Sequence, residues 1–302
     1  MKIQKVKILV IVGPTATGKS DLAILLAKKL NGEVISADSR QVYTGMDIGT
    51  GKVTEKEMQG LPHHLLDVSP PKKIFTVADY KRMATKIIEE VLKRNKLPII
   101  CGGTGLYIQS IVDGLVLPEV PPNLKLRKHL KKISTEELFQ ELKKLDPRRA
   151  RNIDSKNRVR LIRAIEITKV LGTVPKLKLE KNKKYEFLQI GLNLNKEELK
   201  SKIEKRLTKR IRAGMISEVK RLRESNVSWQ RLYDFGLEYR FVADYLQSKI
   251  TKKAMGERLT AAINQYAKRQ MTWFKRDKRI KWFRPEETEK IDREIIDWIR
   301  PS

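Results

Sequence analysis

The first third of the chain alternates short apolar runs with longer segments of helical periodicity. Apolar runs at residues 7–12, 33–37 and 97–101 have the length and composition of buried strands. Between them, apolar residues recur every three or four positions at 21–30 and 77–94, which predicts two amphipathic helices. This alternation predicts a parallel sheet with helices on both faces.

The middle of the chain departs from this alternation. Three prolines between residues 118 and 122 interrupt it, and the residues that follow are helical in pattern, basic and poor in glycine. A strand-like run returns only at 185–194, after a lysine-rich stretch. We therefore predict a helical insertion domain at 118–189, within a core domain formed by residues 1–117 and 190–302.

The last third of the chain is predicted to be mostly helical. Apolar residues recur at helical spacing over 196–223, 237–246 and 252–276. A short apolar run at 280–283 predicts one late strand.

The amino-acid composition excludes several kinds of site and favours one class of partner. The 302 residues include a single cysteine, Cys101, so neither an intramolecular disulfide nor a cysteine-based zinc site can form. No apolar run approaches the roughly 20 residues of a membrane span, and we predict a cytoplasmic protein without membrane contact. Lys and Arg number 65 against 36 Asp and Glu, a net charge of +29, which favours a polyanionic partner.

Residues 13–20, GPTATGKS, match the phosphate-loop pattern G-x-x-x-x-G-K-[ST], with a strand before them and a helix after them. Gly13 and Gly18 allow the backbone to curl so that its N–H groups point inward. Lys19 supplies a positive charge to phosphate oxygens, and the Ser20 hydroxyl can hold Mg²⁺, the cofactor that we expect. The motif predicts a di- or triphosphate ligand and an α/β fold with a P-loop NTPase-like parallel sheet core and a helical insertion domain.

Two further groups follow predicted strands. Asp38 comes just after the second strand, where ligands of open α/β sheets collect. It can ligate Mg²⁺ through water or act as a base, and a helix cap or turn residue is an equally good interpretation. The glycine turn at 102–105 follows the third strand, and Thr104 in it can hydrogen-bond a ligand or simply belong to a tight turn. His63 and His64 lack further metal ligands nearby in sequence, so we expect a structural role for them.

Basic residues recur on several predicted helices. Arg160 and Arg163 share a helix face, another cluster lies between 202 and 212, and residues 268–276 interleave cations with aromatic side chains. Each run alone is more often a solvated helix face. Together with the net charge of +29, they favour a nucleic acid as partner.

Several motifs in one order give the chain a specific resemblance. They are GPTATGKS at 13–20, ISADSRQVYTGMDIGTGK at 35–52, PHHLLD at 62–67, FTVADY at 75–80, GGTGLY at 102–107 and AKRQMTWF at 267–274. This set resembles the bacterial tRNA dimethylallyltransferase (isopentenyltransferase) family over nearly the whole chain. The resemblance implies transfer of a dimethylallyl group from dimethylallyl diphosphate to N6 of the adenosine immediately 3′ of a tRNA anticodon, with release of diphosphate.

The resemblance also implies roles for individual residues. Asp38, Thr104 and Lys19 would be catalytic, and Ser20 and Thr17 would hold Mg²⁺. The diphosphate donor would be bound by the whole phosphate loop: Gly13, Pro14, Thr15, Ala16, Thr17, Gly18, Lys19 and Ser20. The anticodon stem-loop of the tRNA would contact Asp38, Ser39, Arg40, Gln41, Thr104, Lys125, Arg127, Val159, Arg160, Leu161, Ile162 and Arg163.

The chain departs from the family pattern in one segment, and two other functions fit the bare motifs. Residues 235–240, FGLEYR, stand where the family more often has Gly-Tyr-Lys/Arg-Glu. One alternative is a small-molecule kinase, which shares the phosphate loop but uses ATP. The other is a non-catalytic RNA-binding P-loop protein, which would bind tRNA and form no product. We expect a monomer in each case.

Overall fold

The computed structural model describes residues 5–176, 178–180 and 184–300. The chain divides into two compact units, which we name the core unit (residues 1–114 and 181–302) and the insertion unit (115–180). Among the described residues, no helix is both long and apolar enough to cross a membrane. The core unit contains β1 (Val6–Val12), α1 (Lys19–Lys29), β2 (Gly32–Ser36), α2 (Glu55–Met58), β3 (His63–His64), α3 (Val77–Lys93), β4 (Leu97–Gly102), α4 (Gly105–Val112), β7 (Tyr185–Leu192), α9 (Lys196–Arg212), α10 (Met215–Glu224), α11 (Trp229–Phe235), α12 (Leu237–Leu246), α13 (Lys252–Phe274), β8 (Ile280–Phe283) and α14 (Thr288–Ile299). The insertion unit contains β5 (Leu115–Val116), α5 (Leu124–Leu130), α6 (Thr135–Leu145), α7 (Pro147–Ala150), α8 (Arg158–Leu171) and β6 (Lys178–Leu179).

The strands of the core unit form one parallel sheet in the order β3-β2-β4-β1-β7-β8. Alternate residues of β1 face opposite sides, as strand geometry requires. Ile8 and Val10 pack in a cluster with apolar residues of α3 and α4, whereas Leu9 and Ile11 pack with α1 and α14. Each of these buried side chains contributes about 1.5–3 kcal/mol. The predicted parallel sheet with helices on both faces is confirmed.

The helices after β7 form a second core within the same unit. The predicted single helix at 196–223 is divided into α9 and α10, because Gly214 adopts a φ of +101° that a helix cannot continue through. Buried residues of α9 to α13 enclose Met46 and Tyr43, which follow β2 in the chain. This packing holds the segment after β2 against the C-terminal helices.

The insertion unit is built on four helices. Leu130, Leu138, Leu142, Leu161 and Ile165 are completely buried in its apolar cluster. The strands β5 and β6 pair antiparallel near its two ends. The unit ends at residue 180, so the predicted boundary at 189 falls inside β7, a strand whose apolar residues pair with β1 in the core sheet.

Candidate active site

One cavity of about 610 Å³ opens at the carboxyl edge of the core sheet. The phosphate loop, the ends of β2 and β4, and helices α9 and α13 contribute to its wall. Its polar lining side chains include Thr15, Lys19, Ser20, Asp38, Ser39, Arg40, Gln41, Arg206, Arg210, Glu238, Tyr266, Arg269 and Gln270. The structure therefore brings together most of the core residues that the sequence predicts as functional.

The backbone shape of the phosphate loop requires glycine at two positions. A methyl group at Gly13 would lie 2.4 Å from the carbonyl oxygen of Leu192 at the end of β7. Gly18 precedes α1 with a left-handed φ of +85° and no side-chain cap on the helix. The first N–H groups of α1 are thus free of a capping side chain, an arrangement that favours an anion.

Lys19 is a partly buried cation in this loop. Its ammonium donates a hydrogen bond to the carbonyl oxygen of Pro14. Burial lowers the pKa of Lys19 to about 8, and repulsion from the Arg206 guanidinium adds to the decrease against the opposing effect of Asp38. Burial also raises the pKa of the Cys101 thiol to about 12, so this cysteine is neutral at physiological pH. A negatively charged ligand would stabilise the charged form of Lys19.

Two long-range contacts hold the phosphate loop from outside. Arg206 of α9 donates to Thr15 Oγ1 at 3.2 Å and to the Gly51 carbonyl oxygen at 3.3 Å. Gln270 of α13 accepts the Thr15 N–H at 2.9 Å. Burial lowers the pKa of Arg206 to about 10, with Arg210 adding repulsion. The sequence places Arg206 in a basic run, and no local signal marks its contact with the phosphate loop.

Asp38 serves as a turn residue while it lines the cavity. Its Oδ1 accepts the backbone N–H of Arg40 at 2.8 Å and, at 3.4 Å, that of Gln41. Its Oδ2 accepts no hydrogen bond from any residue that the structure describes. The turn interpretation of Asp38 is confirmed by Oδ1, and Oδ2 leaves the predicted ligand or base role open.

The residues around Asp38 are tied to other loops. Thr104 accepts the Ser39 N–H on its hydroxyl at 3.0 Å, and it stands beside the cavity rather than in its lining. Arg40 donates through Nε to the Phe235 carbonyl oxygen at 2.7 Å. Gln41 donates to the Gly51 carbonyl oxygen at 3.3 Å. These bonds occupy part of the polar surface that the sequence assigned to RNA.

The segment that departs from the family pattern forms part of the cavity wall. Residues 235–241 all line it, and Glu238 pairs with Arg210 at 3.1 Å. Burial raises the pKa of Glu238, although Arg210 opposes this effect. Glu218 of α10 accepts three backbone N–H groups, those of Asp47, Ile48 and Gly49, and thereby fixes the loop after β2. Neither glutamate was predicted, since no local motif marks it.

The donor set of the cavity fits Mg²⁺ held largely by a phosphate ligand. Mg²⁺ in such sites takes one or two protein oxygens and completes its shell with phosphate oxygens and water. Ser20 and Asp38 offer a hydroxyl and a carboxylate to the cavity. Thr17 does not, because its hydroxyl is completely buried and donates to the Pro14 carbonyl oxygen at 2.9 Å. Among the described residues, no group of three acidic, His or Cys side chains forms a metal site of its own.

The residues of the insertion unit that the sequence assigned to RNA divide into three kinds. Lys125, Val159 and Arg160 are exposed. Leu161 and Ile162 are buried in the apolar cluster, so their side chains cannot contact RNA without unfolding the unit.

Arg127 and Arg163 have an internal partner. Both guanidinium groups bond the buried carboxylate of Glu166, at 2.8 Å and 2.7 Å. The Arg127 pair joins α5 to α8, whereas Arg163 and Glu166 lie three residues apart on α8 itself. Both pairs limit the charge that these arginines can offer to another molecule.

His63 and His64 are structural, as predicted. His63 Nδ1 bonds the Leu61 carbonyl oxygen at 2.9 Å, and His64 Nε2 bonds Glu33 Oε2 at 2.7 Å. The pair also forms β3, a strand that the sequence did not predict.

Comparison with known proteins gives a consistent result. The family model described as IPP transferase matches residues 41–277. A tRNA dimethylallyltransferase 1 from Syntrophus aciditrophicus is 42% identical over 300 residues, which cover 97% of this chain and 98% of that protein. The structure of a tRNA isopentenylpyrophosphate transferase from Staphylococcus epidermidis has a TM-score of 0.71 at 36% identity, covering 97% of this chain and 100% of that one. A eukaryotic dimethylallyltransferase acting on tRNA has a TM-score of 0.73 at 27% identity, covering 90% of this chain and 70% of that one.

These matches confirm the predicted P-loop NTPase-like α/β fold and the predicted family. A model that spans residues 41–277, together with a relative 42% identical over nearly the full length of both proteins, is sufficient evidence. The chain belongs to the IPP transferase family.

Proposed function

We propose that this protein transfers a dimethylallyl group from dimethylallyl diphosphate to N6 of the adenosine immediately 3′ of the anticodon in tRNA, and releases diphosphate. The observation that carries the proposal is one cavity lined by both the cationic Lys19 of the phosphate loop and the carboxylate of Asp38. The relatives named for the same reaction support it. No observation favours a kinase or a non-catalytic RNA-binding protein.

The side of the cavity at Asp38, which we call the acceptor end, would have to activate a weak nucleophile. The exocyclic nitrogen of adenine shares its lone pair with the ring, and it cannot be alkylated while the base is stacked, so the base must leave the anticodon stack. Asp38 Oδ2 would accept a hydrogen bond from the amine and take its proton as the C–N bond forms. Oδ1 stays bonded to the backbone and keeps the carboxylate in place.

The side of the cavity at the phosphate loop, which we call the donor end, would stabilise the leaving group. As the allylic C–O bond breaks, the electron pair and the developing negative charge move onto the diphosphate. Lys19 and the uncapped N–H groups of α1 are positioned to receive that charge. Bound Mg²⁺, held by Ser20 and by the diphosphate, would add electrostatic stabilisation of the same charge.

We further propose that the exposed cations of the insertion unit bind the tRNA backbone. Lys125 and Arg160 are exposed, whereas Lys19 and Arg206 in the wall of the cavity are partly buried. Exposed cations of this kind bind phosphates without reading the bases.

A direct test uses unmodified tRNA and dimethylallyl diphosphate. After incubation with the protein, the tRNA is digested and its nucleosides are analysed by mass spectrometry. We expect dimethylallyl-adenosine, located by fragment analysis at the position 3′ of the anticodon. Bound tRNA without this nucleoside would overturn the proposed activity, and ATP-dependent phosphorylation of a small molecule would favour a kinase.

A further inference from the structure

The side chain of Gln270 joins two loops of the cavity that are far apart in sequence. Its Oε1 accepts the N–H of Thr15 in the phosphate loop at 2.9 Å. Its Nε2 donates to the carbonyl oxygen of Gly103 in the second glycine turn, also at 2.9 Å. The residue is only 6% exposed, and a primary amide is the side chain that offers both an acceptor and a donor here.

The second glycine turn is shaped to admit α13. A methyl group at Gly103 would lie 2.2 Å from Gln270 Nε2, and the next closest atom apart from this side chain is 3.7 Å away. A methyl group at Gly105 would lie 2.2 Å from the ring of Trp273, one turn further along α13. Two glycines of GGTG therefore make room for two side chains of the segment that reads QMTW.

The same turn is bonded to the segment that carries Asp38. The Thr104 N–H donates to the Ala37 carbonyl oxygen at 3.1 Å, and the Thr104 hydroxyl accepts the Ser39 N–H at 3.0 Å. Both neighbours of Asp38 are thus held by Thr104. A continuous series of bonds runs from the phosphate loop through Gln270 and the glycine turn to the acceptor carboxylate.

We propose that Gln270 is a positioning residue, which sets the separation between the diphosphate at the phosphate loop and the acceptor nitrogen at Asp38. This inference rests on the proposed transfer reaction. Carbon–nitrogen bond formation requires the reacting atoms at about 3–3.5 Å, and a misplacement of about 1 Å costs about 100-fold in rate. Gln270 acts through Thr15 and Gly103 rather than on either substrate.

The first experiment replaces Gln270 with a side chain of similar length that makes neither bond. Gln270→Met is compared with wild type in single-turnover transfer at saturating dimethylallyl diphosphate and tRNA. We expect the transfer rate constant per folded molecule to fall by about 100-fold, while the Kd for tRNA changes little. A residue that served only folding would lower the thermal midpoint and leave the rate constant per folded molecule unchanged, which would overturn the proposal.

The second experiment is a double-mutant cycle that remains informative if the methionine variant folds poorly. Gly103→Ala should displace the Gln270 amide and slow transfer, because its methyl group meets that amide. In a Gln270→Ala background the methyl group has space. Gly103→Ala should therefore lower the transfer rate constant less than about threefold there, so the effects of the two substitutions should be strongly non-additive. Gly105→Ala is the matched control, since its neighbour is Trp273, and its cost should be similar in both backgrounds.

The outcomes separate this inference from the proposed function. Absence of dimethylallyl-adenosine with the wild-type protein would overturn the transfer reaction itself. Normal wild-type transfer, combined with additive effects of Gly103→Ala and Gln270→Ala, would overturn the role of Gln270 alone.

Discussion

The cations of the core cavity and those of the insertion unit carry the same charge in different settings. Lys19 and Arg206 are partly buried, bonded to loop oxygens, and have lowered pKa values. Lys125 and Arg160 are exposed to solvent. A fixed, partly buried cation can stabilise a compact anion at one position, whereas exposed cations attract an extended polyanion through a field that salt screens. The cations behind the net charge of +29 therefore stand in physically different settings.

Glu166 makes the same distinction inside the insertion unit. Its buried carboxylate pairs with Arg127 and Arg163, and these hydrogen bonds lower its pKa despite its burial. Arginines that were candidates for RNA contact thus act as structural ion-pair partners. A count of basic residues overestimates the charge that is free to bind RNA.

The largest effect that we predict concerns the acceptor end of the cavity. Asp38→Ala should lower the single-turnover transfer rate by about 10²–10⁴-fold, the usual contribution of a positioned base. Asp38→Asn is the sharper variant, because the amide oxygen can still accept the Arg40 N–H and keep the turn. We expect tRNA affinity to survive in both variants. Full activity of Asp38→Asn would show that Asp38 only stabilises the turn and does not act as the base.

The next effect concerns the donor end. Lys19→Ala should weaken binding of dimethylallyl diphosphate by about 10–100-fold, which corresponds to the 1.5–3 kcal/mol of a hydrogen bond to a charged group. Affinity for tRNA should stay the same, as measured by filter binding. Lys28→Ala, an exposed lysine in the last turn of the same helix, is the control that should leave donor binding unchanged. Equal effects at both positions would contradict a specific role of Lys19 in donor binding.

The lowered pKa of Lys19 predicts a smaller, pH-dependent effect. Below a pKa of about 8 the ammonium is charged and attracts the diphosphate, and above it the neutral amine does not. The kcat/KM for the donor should therefore fall as pH rises through about 8, by about tenfold per unit at most. In Lys19→Arg, whose guanidinium stays charged, this fall should disappear. The same pH profile in both proteins would show that another group titrates.

The smallest effect concerns the insertion unit. Arg160→Ala should weaken tRNA binding severalfold and reduce the slope of log affinity against log salt by about 1, as loss of one phosphate contact requires. Donor binding should be unaffected. Lys28→Ala removes the same charge from the core unit and should leave the salt slope unchanged. An unaltered slope in Arg160→Ala would place the RNA-binding surface elsewhere.

Local motifs made the phosphate loop and Asp38 predictable. The phosphate loop and Asp38 each follow a strand, and strand, loop and helix are contiguous in sequence. The contacts of Arg206 and Gln270 with Thr15 could not be predicted from local motifs. Arg206 lies 191 residues from Thr15 in the chain, and Gln270 lies 255 residues from it. Such contacts arise from packing of α9 against α13 in the C-terminal helical cluster, which periodicity does not reveal.

The predicted RNA contacts on α8 need a correction at two residues, Leu161 and Ile162, whose side chains are buried. The motif was carried over as five consecutive residues, 159–163. Consecutive residues of a helix point in different directions, so Val159 and Arg160 are exposed while Leu161 and Ile162 enter the core.

The stoichiometry of the reaction tests the central claim most directly. In one reaction with unmodified tRNA and dimethylallyl diphosphate, dimethylallyl-adenosine and released diphosphate are quantified together, with and without ATP. We expect one diphosphate for each modified adenosine, with no requirement for ATP and no ATP consumed. Diphosphate release without modified tRNA, or modification that depends on ATP hydrolysis, would contradict the assignment of the phosphate loop to an allylic diphosphate.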